Sequence, residues 1–260
     1  NFHMSLEGTD LDKLALSTEK LLAGTDSKIT TVGYYCNPIQ YAEHRKTLEN
    51  VICTAGKFGA THVSTFAGAW EGKPVESAYE EFGKVFRELA DLAEEKGVKL
   101  GIENCLMDGT WEHATCNIGF NPKAWEVMFE EVKNDNFGLE WEPTHQMVQL
   151  IDPVTELRKW CKKIVHIHGK DATIDWDAVR HSGISGAVPF VWHRMPGFGD
   201  TNWRDIISIL RSNGYEDDIC IEGYHDPVYS GELEMTGQLH ALNYLKWCRG
   251  GEFTPTPWAK

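Results

Sequence analysis

Four short apolar stretches each end on a residue able to bind a hard metal ion: Leu100-Gly-Ile-Glu103, Leu139-Glu-Trp-Glu142, Ile164-Val-His-Ile-His168 and Ile219-Cys-Ile-Glu222. Three carboxylates and one imidazole form an oxygen-rich set. Such a set suits manganese, magnesium or cobalt better than a thiolate-bound structural zinc does. Taken singly, each acid reads as a salt-bridged carboxylate at a loop mouth. Each follows an apolar strand rather than lying on a solvated helix face, and the four together point to a metal site, manganese first, with magnesium, cobalt or zinc as alternatives.

The elements that must position these residues alternate. Strand patterns over Phe2 to Glu7, Lys28 to Tyr35, Thr61 to Ala67, Val98 to Asn104, Phe137 to Glu142, Lys163 to Asp171 and Asp218 to Gly223 are separated by helical periodicities. The helices are expected over Asp10 to Leu22, Tyr41 to Phe58, Val75 to Lys96, from Pro122 onward, from Asp152-Pro153 to Cys161, Trp203 to Ser212 and Leu233 to Trp247. Gly97 and Gly214 act as stops. Such alternation implies a parallel sheet covered by helices. Seven strands are one short of a (β/α)8 barrel, and the expectation is a single barrel domain over residues 1–260 whose first strand is missing from this chain. An open doubly wound sheet is the structural alternative. The connection from Gly169 to Thr201 is long enough to be a functional loop. His168, at the C-terminal end of its strand, occupies the position where parallel barrels place their chemistry. The pleat sends Val165 and Ile167 one way and Ile164, His166 and His168 the other.

Composition narrows the function. The chain has 260 residues, 42% of them hydrophobic, and a formal net charge of −14, with a pI near 5.2. That balance argues against a nucleic-acid partner, which calls for a basic face. Seven cysteines without a tight CxxC pair argue against a disulfide framework and for a reducing, cytoplasmic setting. No apolar run is long enough for a membrane span, so neither membrane nor nucleic acid is expected as a partner.

The anchors Gly101-Ile-Glu-Asn104, Glu142-Pro-Thr-His145, His166-Ile-His-Gly-Lys-Asp171, Pro196-Gly-Phe-Gly-Asp200 with Trp203, and Gly214-Tyr215 before Ile221-Glu222 follow one another in an order that resembles the xylose-isomerase-like barrels. This family includes sugar isomerases, ketose 3-epimerases and the endonuclease IV branch. The resemblance runs from about Lys28 onward. It implies a small-molecule carbohydrate substrate and one divalent ion held by Glu103, Glu142, His168 and Glu222, with Glu142 standing where the family usually has Asp. It also implies a substrate-facing His145. Lys170 and Asp171 are candidates for substrate hydroxyls or for each other, Arg194 for an anionic or hydroxyl group, and Trp111 and Tyr224-His225 for the pocket wall.

Stepping back two residues from the ligands puts Glu140 and His166 on neighbouring inward faces, where they are expected to hydrogen-bond and support the site. The expected reaction is an isomerisation or epimerisation of a ketose or related sugar. Glu103 and Glu222 exchange the proton beside a carbonyl, through an enediolate whose charge the ion stabilises. Elimination from a 3-keto-glycoside begins with the same proton abstraction. Phosphodiester cleavage of the endonuclease IV type would need further ligands, with His62 one candidate, and a basic track. A homo-oligomer is compatible with the sequence, as is a metal-stabilised subunit without catalysis.

Overall fold

The computed structural model describes residues 4–252 and 254–257. The chain divides into two compact units, residues 1–145 with 163–167, and residues 146–162 with 168–260.

The first unit is built by regular alternation. Helix α1 (Leu11–Leu22) is capped by Asp10, which accepts from the Lys13 N–H. It is followed by β1 (Thr31–Gly33), α2 (Ala42–Thr54), β2 (His62–Thr65), α3 (Tyr79–Glu95), β3 (Lys99–Glu103), α4 (Pro122–Glu131) and β4 (Phe137–Trp141). A short helix α5 (Pro143–Met147) and strand β5 (Ile164–Gly169) lead from this unit into the other. Strands β1 to β5 pair in sequence order, all parallel. The outward residues Val63, Leu100, Ile102, Phe137 and Leu139 are fully or nearly fully buried. An aromatic cluster of Phe82, Phe86, Phe129 and Phe137, with centroids 4.6–6.3 Å apart, packs α3 and α4 onto them. Each large ring taken from water contributes roughly 1.5–3 kcal/mol.

The opposite face of this sheet carries small and polar side chains. Thr31 pairs with His62, Gly33 with Ser64, Gly101 with Gly138 and Glu103 with Glu140. A buried face lined by His, Ser and Glu instead of aliphatic residues is a costly core unless its polar groups have work to do.

Strand β5 departs from simple alternation. Its register against β4 shifts between Leu139, opposite Ile164, and Glu140, opposite His166. Val165 is thereby an extra residue, a β-bulge that re-aims side chains. A Cβ added at Gly101 would stand 3.2 Å from Val165 Cγ2, and one at Gly138 only 2.7 Å from Val165 Cγ1. The valine therefore fills the space that two in-register glycines leave on the inward side. The expectation that Val165 points away from His166 is overturned, because the bulge breaks the period of two.

In the second unit, α6 (Pro153–Trp160) is capped by Asp152 and packs with α8 (Trp203–Ser212), while β8 (Ile219–Ile221) leads to α9 (Glu234–Arg249). The Glu222 N–H donates to the Gly169 carbonyl at 3.1 Å, tying β8 to the end of β5. The connection expected as one long loop instead holds an antiparallel hairpin, β6 (Asp171–Ile174) with β7 (Val191–Arg194), and between its strands a short helix α7 (Trp176–Ser182). Two buried aspartates organise it. Asp171 accepts from the N–H groups of Ala172, Gly197 and Thr201 at 2.8–3.1 Å. Asp226 accepts from Met195, Val228 and Tyr229 at 2.7–2.8 Å.

Other boundaries are shorter than expected. Strand β1 covers three residues of Lys28 to Tyr35, and Ala55–Phe58 and Val75–Ala78 are 3₁₀ turns at helix ends. No strand forms over Met4–Gly8. Asn1, Phe2 and His3, the start of the expected N-terminal strand, lie outside the described residues, as do Phe253 and Trp258–Lys260 in the tail.

Candidate active site

The first unit contributes two buried acids at adjoining strand ends. Glu103 closes β3 and Glu142 follows β4; they are 7% and 0% exposed. Because Glu103 pairs with Glu140, Glu142 stands two residues further along. That offset is the stagger tilted strands produce. Asn104 sets it: its Nδ2 donates to the Glu142 carbonyl at 2.9 Å, and its Oδ1 accepts from the Glu142 N–H at 2.7 Å. Asn117, also buried, donates to the Glu103 and Cys105 carbonyls at 2.9 and 2.8 Å. Asn104 stood in a quoted anchor without a role of its own, and Asn117 was not singled out from the sequence. Glu103-Asn104 offered a hint, since a residue beside a strand-end ligand faces the neighbouring strand.

His145, in α5, sits with Nε2 3.2 Å from Glu142 Oε1. Burial alone would lower its pKa, but the Glu142 carboxylate and a hydrogen bond with Cys105 hold it well above the ordinary histidine value. The donor atoms of Glu103, Cys105 and His145 lie within 4.8 Å of one another.

Beneath these residues, Glu140 and His166 stand opposite each other in register, both buried, with Glu140 Oε1 3.7 Å from His166 Nε2. That separation is slightly longer than the expected hydrogen bond. Tyr35 turns back over Gly33 and donates its hydroxyl to Glu140 Oε2 at 2.8 Å. Thr31 Oγ1 lies 3.4 Å from His166 Nε2, and the His62 and His166 rings are 5.7 Å apart. Tyr35 and Thr31 were missed in the sequence because short β1 gives little periodic signal.

In the second unit, His168 Nδ1 lies 3.1 Å from Glu222 Oε2, and the buried Lys170 ammonium donates to Glu222 Oε1 at 2.9 Å. Asp171 is engaged with backbone N–H groups of the hairpin. Arg194 donates through Nε to Asp226 Oδ2 at 3.3 Å, and its guanidinium stands 5.7 Å from the Phe198 ring. Back in the first unit, half-exposed Trp111 donates its indole N–H to Glu76 Oε1. Tyr224 is exposed and packs on the His225 ring, with centroids 3.9 Å apart.

The donor chemistry fits a divalent ion: buried carboxylates at strand ends, with imidazoles beside them in each unit. A family profile described as xylose isomerase-like TIM barrel matches residues 5–246. The chain belongs to this family. Its alternating parallel strands and helices are those of the TIM barrel.

Among curated proteins, the inosose dehydratase of Clostridium tetani is 26% identical over 182 residues, covering 68% of this chain and 57% of its own length. Among solved structures, 3-keto-D-glucoside 4-epimerase from E. coli superposes with a TM-score of 0.68 at 14% identity, covering 93% of this chain and 88% of its own. The IolI protein, solved with a zinc atom, superposes with a TM-score of 0.63 at 21% identity, covering 94% and 81%. Among the described residues, none of the seven cysteines forms a disulfide. Among the described residues, no helix is long and apolar enough to cross a membrane.

Proposed function

We propose that the chain is a divalent-metal-dependent enzyme acting on a keto-sugar or keto-cyclitol, whose first step removes a proton from the carbon beside the carbonyl. The observation that carries this reading is the pair of strand-end glutamates Glu103 and Glu222, one buried among carboxylates and the other held between an imidazole and a lysine. The proposal takes residues 1–260 as one catalytic domain in which Glu103, Glu142, His168 and Glu222 hold one ion. When bound, the ion supplies Lewis-acid stabilisation of the negative charge that develops on the substrate oxygen.

The chain's own residues divide the rest of the chemistry. One of Glu103 and Glu222 takes the α-proton as general base. The other returns a proton, either to the opposite face of the same carbon, giving epimerisation or isomerisation, or to a hydroxyl leaving from the β-carbon as water, giving dehydration. Lys170 holds the Glu222 carboxylate in place and also stands ready for a substrate hydroxyl. His145, 3.2 Å from Glu142, stands ready to donate to the carbonyl-side oxygen. Arg194 and Trp111 complete the proposed substrate contacts. Dehydration is the favoured outcome, supported by the relationship to inosose dehydratase; epimerisation is the second reading, supported by the fold shared with the E. coli epimerase.

The test is incubation with inosose and with a 3-keto-glucoside in deuterated water after loading with manganese. Exchange of deuterium into the α-position should accompany turnover and fall at least about 100-fold in Glu103→Gln and Glu222→Gln. Wild-type exchange in both variants would refute the assignment of the two glutamates.

A further inference from the structure

We propose that Glu103, Cys105 and His145 form a thiolate-bearing site for a zinc-class divalent ion, overlapping the carboxylate-rich set at Glu103. Glu103 and Cys105 flank Asn104, which is turned to clasp Glu142, while the donor atoms of Glu103 and Cys105 lie together. Asn117 fixes the first pair by donating to both of their carbonyls, while its own Oδ1 accepts from Ala67 and Gly119 at 2.9 and 3.0 Å. His145 arrives from α5, three residues after Glu142. One sulfur, one nitrogen and one carboxylate oxygen thus converge within 4.8 Å.

Zinc–ligand bonds of about 2.0–2.3 Å in a tetrahedron place donor atoms roughly 3.5 Å apart, so closure asks for side-chain movements of about 1 Å. Three protein ligands leave the fourth position open to water or a substrate oxygen, the pattern of a catalytic rather than a structural zinc. On binding, the Cys105 thiol and the ligating nitrogen of His145 each lose a proton to solvent as the sulfur–metal and nitrogen–metal bonds form. The sulfur selects zinc, cobalt or cadmium over magnesium and manganese. With such an ion bound, His145 changes from substrate contact to ligand. The inference shares Glu103 with the proposed reaction site but does not rest on the reaction assigned there.

Cadmium titration of the full chain tests it, read by thiolate-to-metal absorption and by peptide mapping of iodoacetamide labelling. The expected result is an absorption that saturates as Cys105 becomes protected while exposed Cys53 stays reactive. It should be lost in Cys105→Ser, weakened about tenfold or more in His145→Ala, and retained in a Glu142→Gln, His168→Asn double variant. Equal labelling of Cys105 with and without cadmium would overturn the proposal, as would absorption that persists in Cys105→Ser or vanishes in the double variant. If Cys105→Ser fails to fold, the wild-type protection map decides. Failure of the carboxylate-rich site shows separately, as absence of manganese binding.

Discussion

The strand-end residues of the two units are held in different ways. In the first unit, Glu103 and Glu142 are positioned through the backbone: side-chain amides of Asn104 and Asn117 grip their peptide groups, and the carboxylates are buried. In the second, His168 and Glu222 are half-buried and positioned by charge, against each other and against Lys170. A backbone clasp fixes a carboxylate whatever its protonation state. A charge-held one responds to pH, salt and whatever cation is present. In the ligand set proposed here, Glu103 and Glu142 are the rigidly held members and His168 and Glu222 the adjustable ones.

The comparison can be broken most strongly at Asn104. Asn104→Ala leaves the N–H and carbonyl of Glu142 without their partner in a buried setting. It should cost about 3 kcal/mol by chemical denaturation, together with a clear loss of manganese affinity. A change below about 1 kcal/mol would mean the clasp does not fix Glu142.

Gly101→Ala is next. The new methyl would stand 3.2 Å from Val165 Cγ2 and from the Glu140 N–H, and overpacking of this kind costs about 2 kcal/mol. Denaturation midpoints check it. Pairing the change with Val165→Ala should restore part of the loss.

Asp226 sharpens the contrast through pH. Burial would raise its carboxyl pKa, but the N–H groups of Tyr229, Met195 and Val228 and the Arg194 guanidinium hold it below the ordinary carboxylate value. A depressed carboxylate adds stability that is complete above its unfolded value of about 4 and is lost as pH falls through its lower folded value. Asp226→Asn should therefore be less stable than wild type by about 1.5 kcal/mol at neutral pH. The gap should narrow below about pH 4, and a pH-independent gap would contradict the assignment.

The smallest effect is expected for Lys170→Met. It removes a buried ammonium together with its ion pair to the partly exposed Glu222, leaves that carboxylate open to water, and should change stability by about 1 kcal/mol or less while reducing turnover sharply. The salt dependence of manganese binding should fall with it.

How much of this was legible in the sequence follows from the range of the forces involved. The β/α alternation and the strand-end Glu103, Glu142, His168 and Glu222 could be read because hydrophobic periodicity and turn residues are local signals. The pairing of Glu140 with His166 could be reached from the pleat. The bulge at Val165 could not, since it depends on two glycines in neighbouring strands. The β6–β7 hairpin was hidden because its four-residue strands are separated by a helix and by residues with no strand periodicity. Asn104, Asn117 and Tyr35 were overlooked because an amide or phenol declares its role only when its partner, distant in sequence, is known. Arg194 was read as a candidate substrate contact, and its engagement with Asp226 and Phe198 had no local signal in the sequence.

The central claim, that strand-end residues of both units share one ion, is tested most directly by measuring bound manganese per chain on manganese-loaded protein and on a Glu142→Gln, His168→Asn variant. Manganese disfavours the thiolate set and so reports the carboxylate-rich one. One ion per chain, lost in the variant while the fold persists by circular dichroism, is the predicted result. No bound manganese in the wild type, or an unchanged stoichiometry in the variant, would contradict the account.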